Sequence, residues 1–388
     1  MAAAASSSSL AVAAQLEAAI EAGDKGNLQA ALGVLGSLTR DRDRDRAVAD
    51  GAGAGLVRVL AQWRNDAEVV CDAYAAIKQL GRSVVCQLRL VRDAGVQVAV
   101  MAAARAHSGN AVVARKAIGA LDGLAAHAEN GATLVREGAH FAAAAAIRVY
   151  GSDSLTATYV CSMLQGLAGR GNYATPLVRD GAHLTLVAAL TAHTAELSVT
   201  MEGCIALHYL AAVQGTLVTL VDAGAHTAVL AAVRANPDSL ALAQDVCAML
   251  QCLAATTPNL VPLIHAGVYP ALLALQERHE GDGNLASIAT GLLLNLVASI
   301  SEATTAQRTA AGYAAVIEIL QQSVALATAG ATLARMARPA RPIGVQDLAF
   351  AHAAERAASA ISRECSDNAE IMAQMRALTD KLLRMRAL

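Results

Sequence analysis

The chain has 388 residues, 55% of them apolar, with a mean hydropathy of +0.41, a formal net charge of −2 and a pI near 6.5. This near-neutral balance gives no electrostatic footprint for nucleic acid, and Asp, Glu, Arg or His breaks every apolar run short of the roughly 18 residues a membrane helix needs. The apolar excess is mostly Ala and Leu, with only 3% aromatics, so the composition points to a soluble, all-helical chain.

The opening segment MAAAASSSSLAVAAQ lacks the basic start of a secretory signal, which speaks against export. Residues 1–9 read as a disordered Ala/Ser-rich tail, and 10–42 as N-terminal capping helices, the first around Leu10 to Ala22. In the run DRDRDR at 41–46, a helix would bring Asp41 near Arg44 and Asp43 near Arg46, a solvated surface stretch. GAGAG at 51–55 imitates a phosphate loop but lacks a preceding strand and a Lys-Ser/Thr pair, so it reads as a turn.

From there the chain is periodic. Turn anchors fall at Gly51, Gly95, Gly138, Gly181, Gly224, Gly267 and Ala311, at steps of 43 or 44 residues, in segments such as VREGAH and VDAGAH. Leu38, Leu80, Leu124, Leu167, Leu210, Leu253 and Leu296 keep the period, and Leu35, Ile77, Leu121, Leu164, Leu207, Leu250 and Leu293 repeat it three residues earlier. Such self-similarity means a repeat array in one elongated body.

Within one repeat, Asn172 to Ala211, TPLVRD predicts a short first helix ending at Gly181, where glycine accepts the left-handed backbone past a helix C-terminus. HLTLVAALTAH predicts a second helix, with its own ladder of Val57, Met101, Ala144, Val187, Leu230, Leu273 and Ile317. LSVTMEGCIALHYLAA predicts a third, with apolar residues at i, i+3 and i+7, a face that only stacking can bury. Three helices, a short one before a Gly-Ala turn, a period near 43 and leucines fixed on the long third helix resemble armadillo repeats over residues 27–388. The resemblance implies an all-α, right-handed α-solenoid of about seven three-helix repeats over 43–322, with partial capping units at both ends. The HEAT repeat, with two helices and no such turn, fits less well.

The last repeat slips. Leu296 to Ile361, Ala311 to Arg376 and Ile317 to Leu382 are each 65 residues apart, so one insertion lies at 323–346. Pro339 and Pro342 break any helix there, while Arg335, Arg338 and Arg341 give it positive charge, suited to a solvated loop or to docking an acidic partner. Residues 347–388 then supply the last third helix and C-terminal capping helices, with Ile371, Met375, Leu378, Leu382 and Met385 on one face.

Little in the sequence suggests a reaction. Cys161, Cys204 and Cys247 sit on the 43-residue period, as small buried residues of a reducing compartment would. His140, His183 and His226 form one ladder, and Trp63, His107, Tyr150, His193, Asn236 and His279 another. Stacked helices lie about 8–10 Å apart, too far for such ladders to converge on one metal, so the rings are expected to bind orphan carbonyls at helix C-termini. Neither a nucleophile motif nor a cofactor motif appears, and no enzyme, cofactor or small-molecule substrate is expected.

Armadillo proteins that bind extended peptides carry Asn and Trp ladders on the third helices, which line the concave face. The Asn position here reads Ser37, Gln79, Gly123, Gly166, Tyr209, Cys252 and Asn295, and the Trp position reads Gly33, Ala75, Gly119, Ser162, Ile205, Ala248 and Gly291. Only Asn295 matches. Asp72, Lys116, Tyr159, Glu202 and Asp245, seven residues before the Asn position, share that side. Gln79, Tyr209 and Asn295 complete a candidate groove whose floor of small residues permits close approach or tight stacking. The resulting expectation is a protein–protein interaction scaffold. It would be a structural subunit of a larger assembly, such as a ciliary axoneme, or alternatively a soluble adaptor for a peptide or helix. Its partners are proteins rather than nucleic acid or membrane, and its place is the cytoplasm or cytoskeleton, with the nucleus open.

Overall fold

The computed structural model describes residues 2–169, 173–279 and 282–285, and isolated helical positions at 288, 292, 373, 376 and 380. The expected insertion at 323–346, nearly all of 347–388, and Asn295 lie outside the described residues.

Every regular element among the described residues is helical. Two helices open the chain, α1 (Ala2–Ala22) and α2 (Lys25–Ser37). Triplets follow: α3 (Asp41–Ala49), α4 (Ala52–Gln62) and α5 (Ala67–Leu80); α6 (Val84–Arg92), α7 (Val96–Ala106) and α8 (Ala111–Ala125); α9 (Gly131–Arg136), α10 (Ala139–Tyr150) and α11 (Ser154–Ala168). The next are α12 (Ala174–Arg179), α13 (Ala182–Ala192) and α14 (Leu197–Ala211), then α15 (Leu217–Asp222), α16 (Ala225–Ala235) and α17 (Leu240–Leu253). A further first and second helix are α18 (Leu260–His265) and α19 (Val268–Arg278). The six anchor glycines from Gly51 to Gly267 all take positive φ, from 65° to 105°, which no non-glycine residue among those described adopts. Each turns the chain sharply between a first and a second helix.

The chain divides into two compact bodies, Met1–Thr216 and Leu217–Leu388. In a repeat array the contacts are between neighbours, so the period alone does not fix where a compact body ends. Within the N-terminal body the third helices α5, α8, α11 and α14 stack in order on α2, and the second helices α4, α7, α10 and α13 stack in order on α1. Each first helix packs on the third helix of its own triplet. The opening pair is thus a repeat without its first helix.

The leucine ladders are the interior: Ile77, Leu80, Leu121, Leu124, Leu164, Leu167, Leu207 and Leu210 are all buried. On the second helices the deepest ladder is Leu56, Val100, Ala143 and Leu186, one residue before the expected one, where Val57, Ala144 and Val187 are half-buried. A one-residue step turns a helix by about 100°, enough to move a side chain from the seam to its margin.

A polar ladder with no counterpart in the sequence reading holds the repeats in register. Arg44, Gln87, Asn130, Tyr173, Thr216 and Asn259 fall at steps of 43, and all but Tyr173 are buried. Arg44 Nε donates to the Leu38 carbonyl at 3.2 Å, Asn130 Nδ2 to that of Leu124 at 2.9 Å, and Asn259 Nδ2 to that of Leu253 at 2.9 Å; Thr216 Oγ1 donates to that of Leu210. Each thereby satisfies a carbonyl at the end of a third helix or its opening counterpart α2. Asn130 and Asn259 also donate to Gln87 and Leu217 in the preceding repeat, at 3.0 and 3.2 Å. A second ladder caps the third helices: Asp66, Asn110, Asp153, Ser239 and Asp282 accept from backbone N–H groups of the first turn, whereas Glu196 at the same step makes no cap bond.

Three local expectations are corrected. The Ala/Ser segment read as a tail is helical from Ala2, as the high helix propensity of alanine favours. DRDRDR opens the first helix α3, with Asp41 and Arg42 exposed and only Arg44 drawn into the interior. Arg44 pairs with Asp41 and is buried under its bond to Leu38, and Arg46 reaches Asp50 at 3.7 Å in place of Asp43. In GAGAG only Gly51 turns; Gly53 and Gly55 lie inside α4, where a Cβ on Gly55 would come within 2.7 Å of Leu16 in α1 and one on Gly53 within 3.3 Å of Leu90 in α6.

Candidate functional site

Along the third helices the residues left out of the interior recur at one spacing, as 71, 72, 75, 78 and 79 on α5 and 201, 202, 205, 208 and 209 on α14, with Gly119 of α8 the buried exception. This i, i+3, i+4, i+7 pattern is a single helix face. Stacking of α5, α8, α11 and α14 brings Asp72, Gln79, Lys116, Tyr159, Glu202 and Tyr209 onto a shared face of the N-terminal body. Asp245 occupies the equivalent position on α17, in the C-terminal body.

Much of this face is already engaged within the chain. Gln29 Nε2 donates to Asp72 at 3.0 Å, and Gln79 donates to the Leu38 carbonyl. Lys78 lays its ammonium over the Tyr159 ring, 3.7 Å from the centroid, crossing above Gly119, where a Cβ would sit 3.5 Å from that ring and 3.6 Å from the lysine stem. At the Asn position the glycines serve stacking. A Cβ on Gly123 would meet the Lys78 backbone at 3.4 Å, and one on Gly166 would meet the Ala125 carbonyl oxygen at 2.9 Å. The Tyr209 ring lies against Gly169, where a Cβ would come within 2.5 Å. The small-residue floor therefore draws neighbouring helices together, and what stays presented is the rim of longer side chains.

Asp122 and Glu202 carry the sharpest electrostatics there. Burial pushes both carboxyls up; Ser162 and Lys78 hold Asp122 back, while the charge of Asp122 pushes Glu202 further. Lys78 and Asp122 escaped the sequence reading. They belong to a polar ladder one residue before the Asn position, Lys78, Asp122, Gln165, His208 and Gln251, which the period alone could have revealed.

The histidines are structural, each in its own way. His140, His183 and His226 are 2%, 5% and 7% exposed at the start of second helices, each with Nδ1 unbonded, and burial holds all three below the ordinary imidazole range. His183 bonds the Val178 backbone at the end of α12, while His140 Nε2 lies 3.4 Å from Asp180, too poorly aligned to count as a hydrogen bond. Four members of the other ladder clasp the neighbouring repeat, while Asn236 Nδ2 donates to the Ala232 carbonyl of its own helix at 2.9 Å. His107 meets the Arg64 carbonyl at 2.8 Å, Tyr150 that of Ser108 at 2.7 Å, His193 that of Gly151 at 2.6 Å, and His279 that of Pro237 at 3.0 Å. Among the described residues no group of three or more His, Cys, Asp and Glu is arranged to hold a metal, and no single helix is long and apolar enough to cross a membrane. Cys86, Cys161 and Cys247 are buried free thiols whose pKa is pushed up to about 12 by burial, so they are poor nucleophiles.

No protein-family model and no curated protein sequence matches the chain. Solved structures do. A crystal structure of an engineered protein from a structural genomics consortium is 19% identical, with a TM-score of 0.56, over 64% of this chain and 98% of the other. A structure from a study of the phosphorylation switch controlling the interaction between cadherin and β-catenin is 15% identical, with a TM-score of 0.60, over 94% of this chain and 70% of the other. The likeness is one of fold: an all-helical, solenoid-like arrangement.

Proposed function

We propose that the chain is an armadillo-like, non-catalytic scaffold that binds proteins along the rim of its third-helix face, as a fixed subunit of a larger cytoplasmic or cytoskeletal assembly, of which a ciliary axoneme is one kind. One observation carries this reading: the leucine ladders of the third-helix layer keep their chemistry from repeat to repeat, whereas the rim changes from Asp72 to Lys116, Tyr159 and Glu202. A surface that varies while its support is constant suits selection of one partner. The cadherin–β-catenin neighbour is consistent with a protein-binding use of this fold. The absence of repeated Asn and Trp at the family positions favours a fixed partner over a transient peptide held through its backbone.

Crosslinking mass spectrometry on the native complex tests the reading, since Lys78 and Lys116 place reactive amines on the rim. Crosslinks from these two lysines to a stoichiometric partner are expected, and charge reversal at Asp72, Glu202 and Asp245 should weaken the association without unfolding the chain. Crosslinks confined to other faces, together with normal binding by the charge-reversed variants, would sink it.

A further inference from the structure

The second helices of the N-terminal body present an exposed stripe that the rim does not use. Val98 on α7, Phe141 on α10 and Leu184 on α13 are successive members of one 43-residue step, and they are 49%, 55% and 54% exposed. Each sits three residues after its anchor glycine. Phe141 folds back over Gly138, where a Cβ would be 3.2 Å from the ring, and Leu184 over Gly181 at 3.9 Å. One turn further along lie exposed Ala102, Ala145 and Ala188, and two turns along lie exposed Arg105 and Arg148. Positions i, i+4 and i+7 share a helix face, so the stripe has an apolar row, a smooth alanine row and a basic row.

The two ends of the stripe differ in charge. At the glycine end the arginines already have acids: Arg92 with Glu129 at 2.6 Å, Arg136 with Glu137 at 3.3 Å, and Arg179 with Asp180 at 2.8 Å. At the far end Arg105 and Arg148 form no ion pair among the described residues. Both guanidiniums are exposed and so are open to an anionic complement from outside.

We propose that this stripe docks an acidic amphipathic helix of a partner protein, laid across α7, α10 and α13. Stacked helices are about 8–10 Å apart, and seven residues of helix rise about 10.5 Å. Apolar side chains at heptad spacing therefore meet Val98, Phe141 and Leu184 in turn when the helix lies obliquely. Arg105 and Arg148 stand about 10 Å from the apolar row, roughly one helix diameter. Carboxylates on that flank of the partner reach them while its opposite flank faces solvent. In the C-terminal body the corresponding residue of α16 is Thr227.

The test uses the full chain and a stapled, fluorescein-labelled helix of about 18 residues, long enough for three heptad-spaced anchors. It carries Leu at heptad spacing and Glu on one flank; a control peptide has Lys in place of Glu. Saturable binding of the Glu peptide by fluorescence anisotropy is expected, weakened at least about tenfold by Phe141→Glu with Leu184→Glu. Arg105→Glu with Arg148→Glu should reverse the preference, so that the Lys peptide binds better. Both pairs are exposed, and circular dichroism melting checks that each variant folds; should the Phe141 pair fail, the arginine pair decides. Absence of saturable binding, equal binding of the two peptides, or indifference to the arginine reversal overturns the proposal. So does sedimentation showing self-association that Phe141→Glu abolishes, which would assign the stripe to a second copy. Phosphatidylserine vesicles bound in preference to the Glu peptide would assign it to a membrane surface and equally overturn it.

Discussion

The interior and the rim of the third-helix layer share one period and differ in everything else. Inside, Leu and Ile recur with little variation, and the carbonyls of Leu38, Gly81, Leu124, Leu210 and Leu253 each meet a polar side chain six residues on. Outside, the same step yields an acid, a base, a phenol and another acid. The difference separates two selective demands. A repeat must offer its neighbours the same shape each time or the stack loses register, while a surface that recognises something gains by being unlike itself from one repeat to the next. It also explains the glycines at the Asn position, which belong to the interior in function although they lie on the exposed side.

The comparison can be broken most violently from within. Leu164→Asp or Leu207→Asp places an unpaired charge among packed leucines and should destabilise the N-terminal body by more than about 4 kcal/mol, read by urea denaturation; a loss below about 1 kcal/mol would show that the interior is not close-packed. Asn130→Ala removes donors to two carbonyls, of Leu124 and Gln87, and should cost about 2–3 kcal/mol. Substitution at Tyr173, on the same step but not buried, should cost less.

Acid probes the interior without mutation. His140, His183 and His226 have their folded-state pKa depressed below 6.5 by burial, so the folded chain keeps them neutral while the unfolded chain takes up protons. Their contribution to stability is fully present above pH 6.5 and is lost as pH falls from there through the depressed folded values. Asp180, beside His140, partly offsets the depression, and Arg179 adds to it. Urea midpoints that stay constant between pH 7.5 and 5 would contradict this assignment, and His183→Leu should flatten the dependence.

Smaller effects sharpen the contrast. Glu196 stands where Asp66, Asn110 and Asp153 cap their helices, but its longer side chain makes no cap bond. Glu196→Asp should therefore raise stability by about 0.5–1 kcal/mol, and a loss on thermal melting would mean the carboxylate serves elsewhere. On the rim, Glu202→Gln relieves repulsion from Asp122 and should change stability by no more than about 0.5 kcal/mol, while altering partner binding if the rim is the contact surface.

How much could be read in advance follows the same division. The anchors, the three-helix repeat and the leucine ladders were legible because helix periodicity and glycine conformation are local consequences of residue type. Asp72, Lys116, Tyr159 and Glu202 could be put on one helix face by counting alone. Counting could not reveal that Gly123 and Gly166 are filled by neighbouring backbone, or that Lys78 spans Gly119 to reach Tyr159. Nor could it show that His107, Tyr150 and His193 bond carbonyls one repeat away rather than their own helix ends. These contacts join residues about one or two periods apart, and whether they meet depends on how closely and at what rotation adjacent helices pack. Sequence by itself determined the three-helix repeat and the leucine ladders that face inward; the tertiary structure decided which outward residues are taken by neighbours and which stay exposed, because interhelix distance and rotation are properties of the packed stack and of no single repeat.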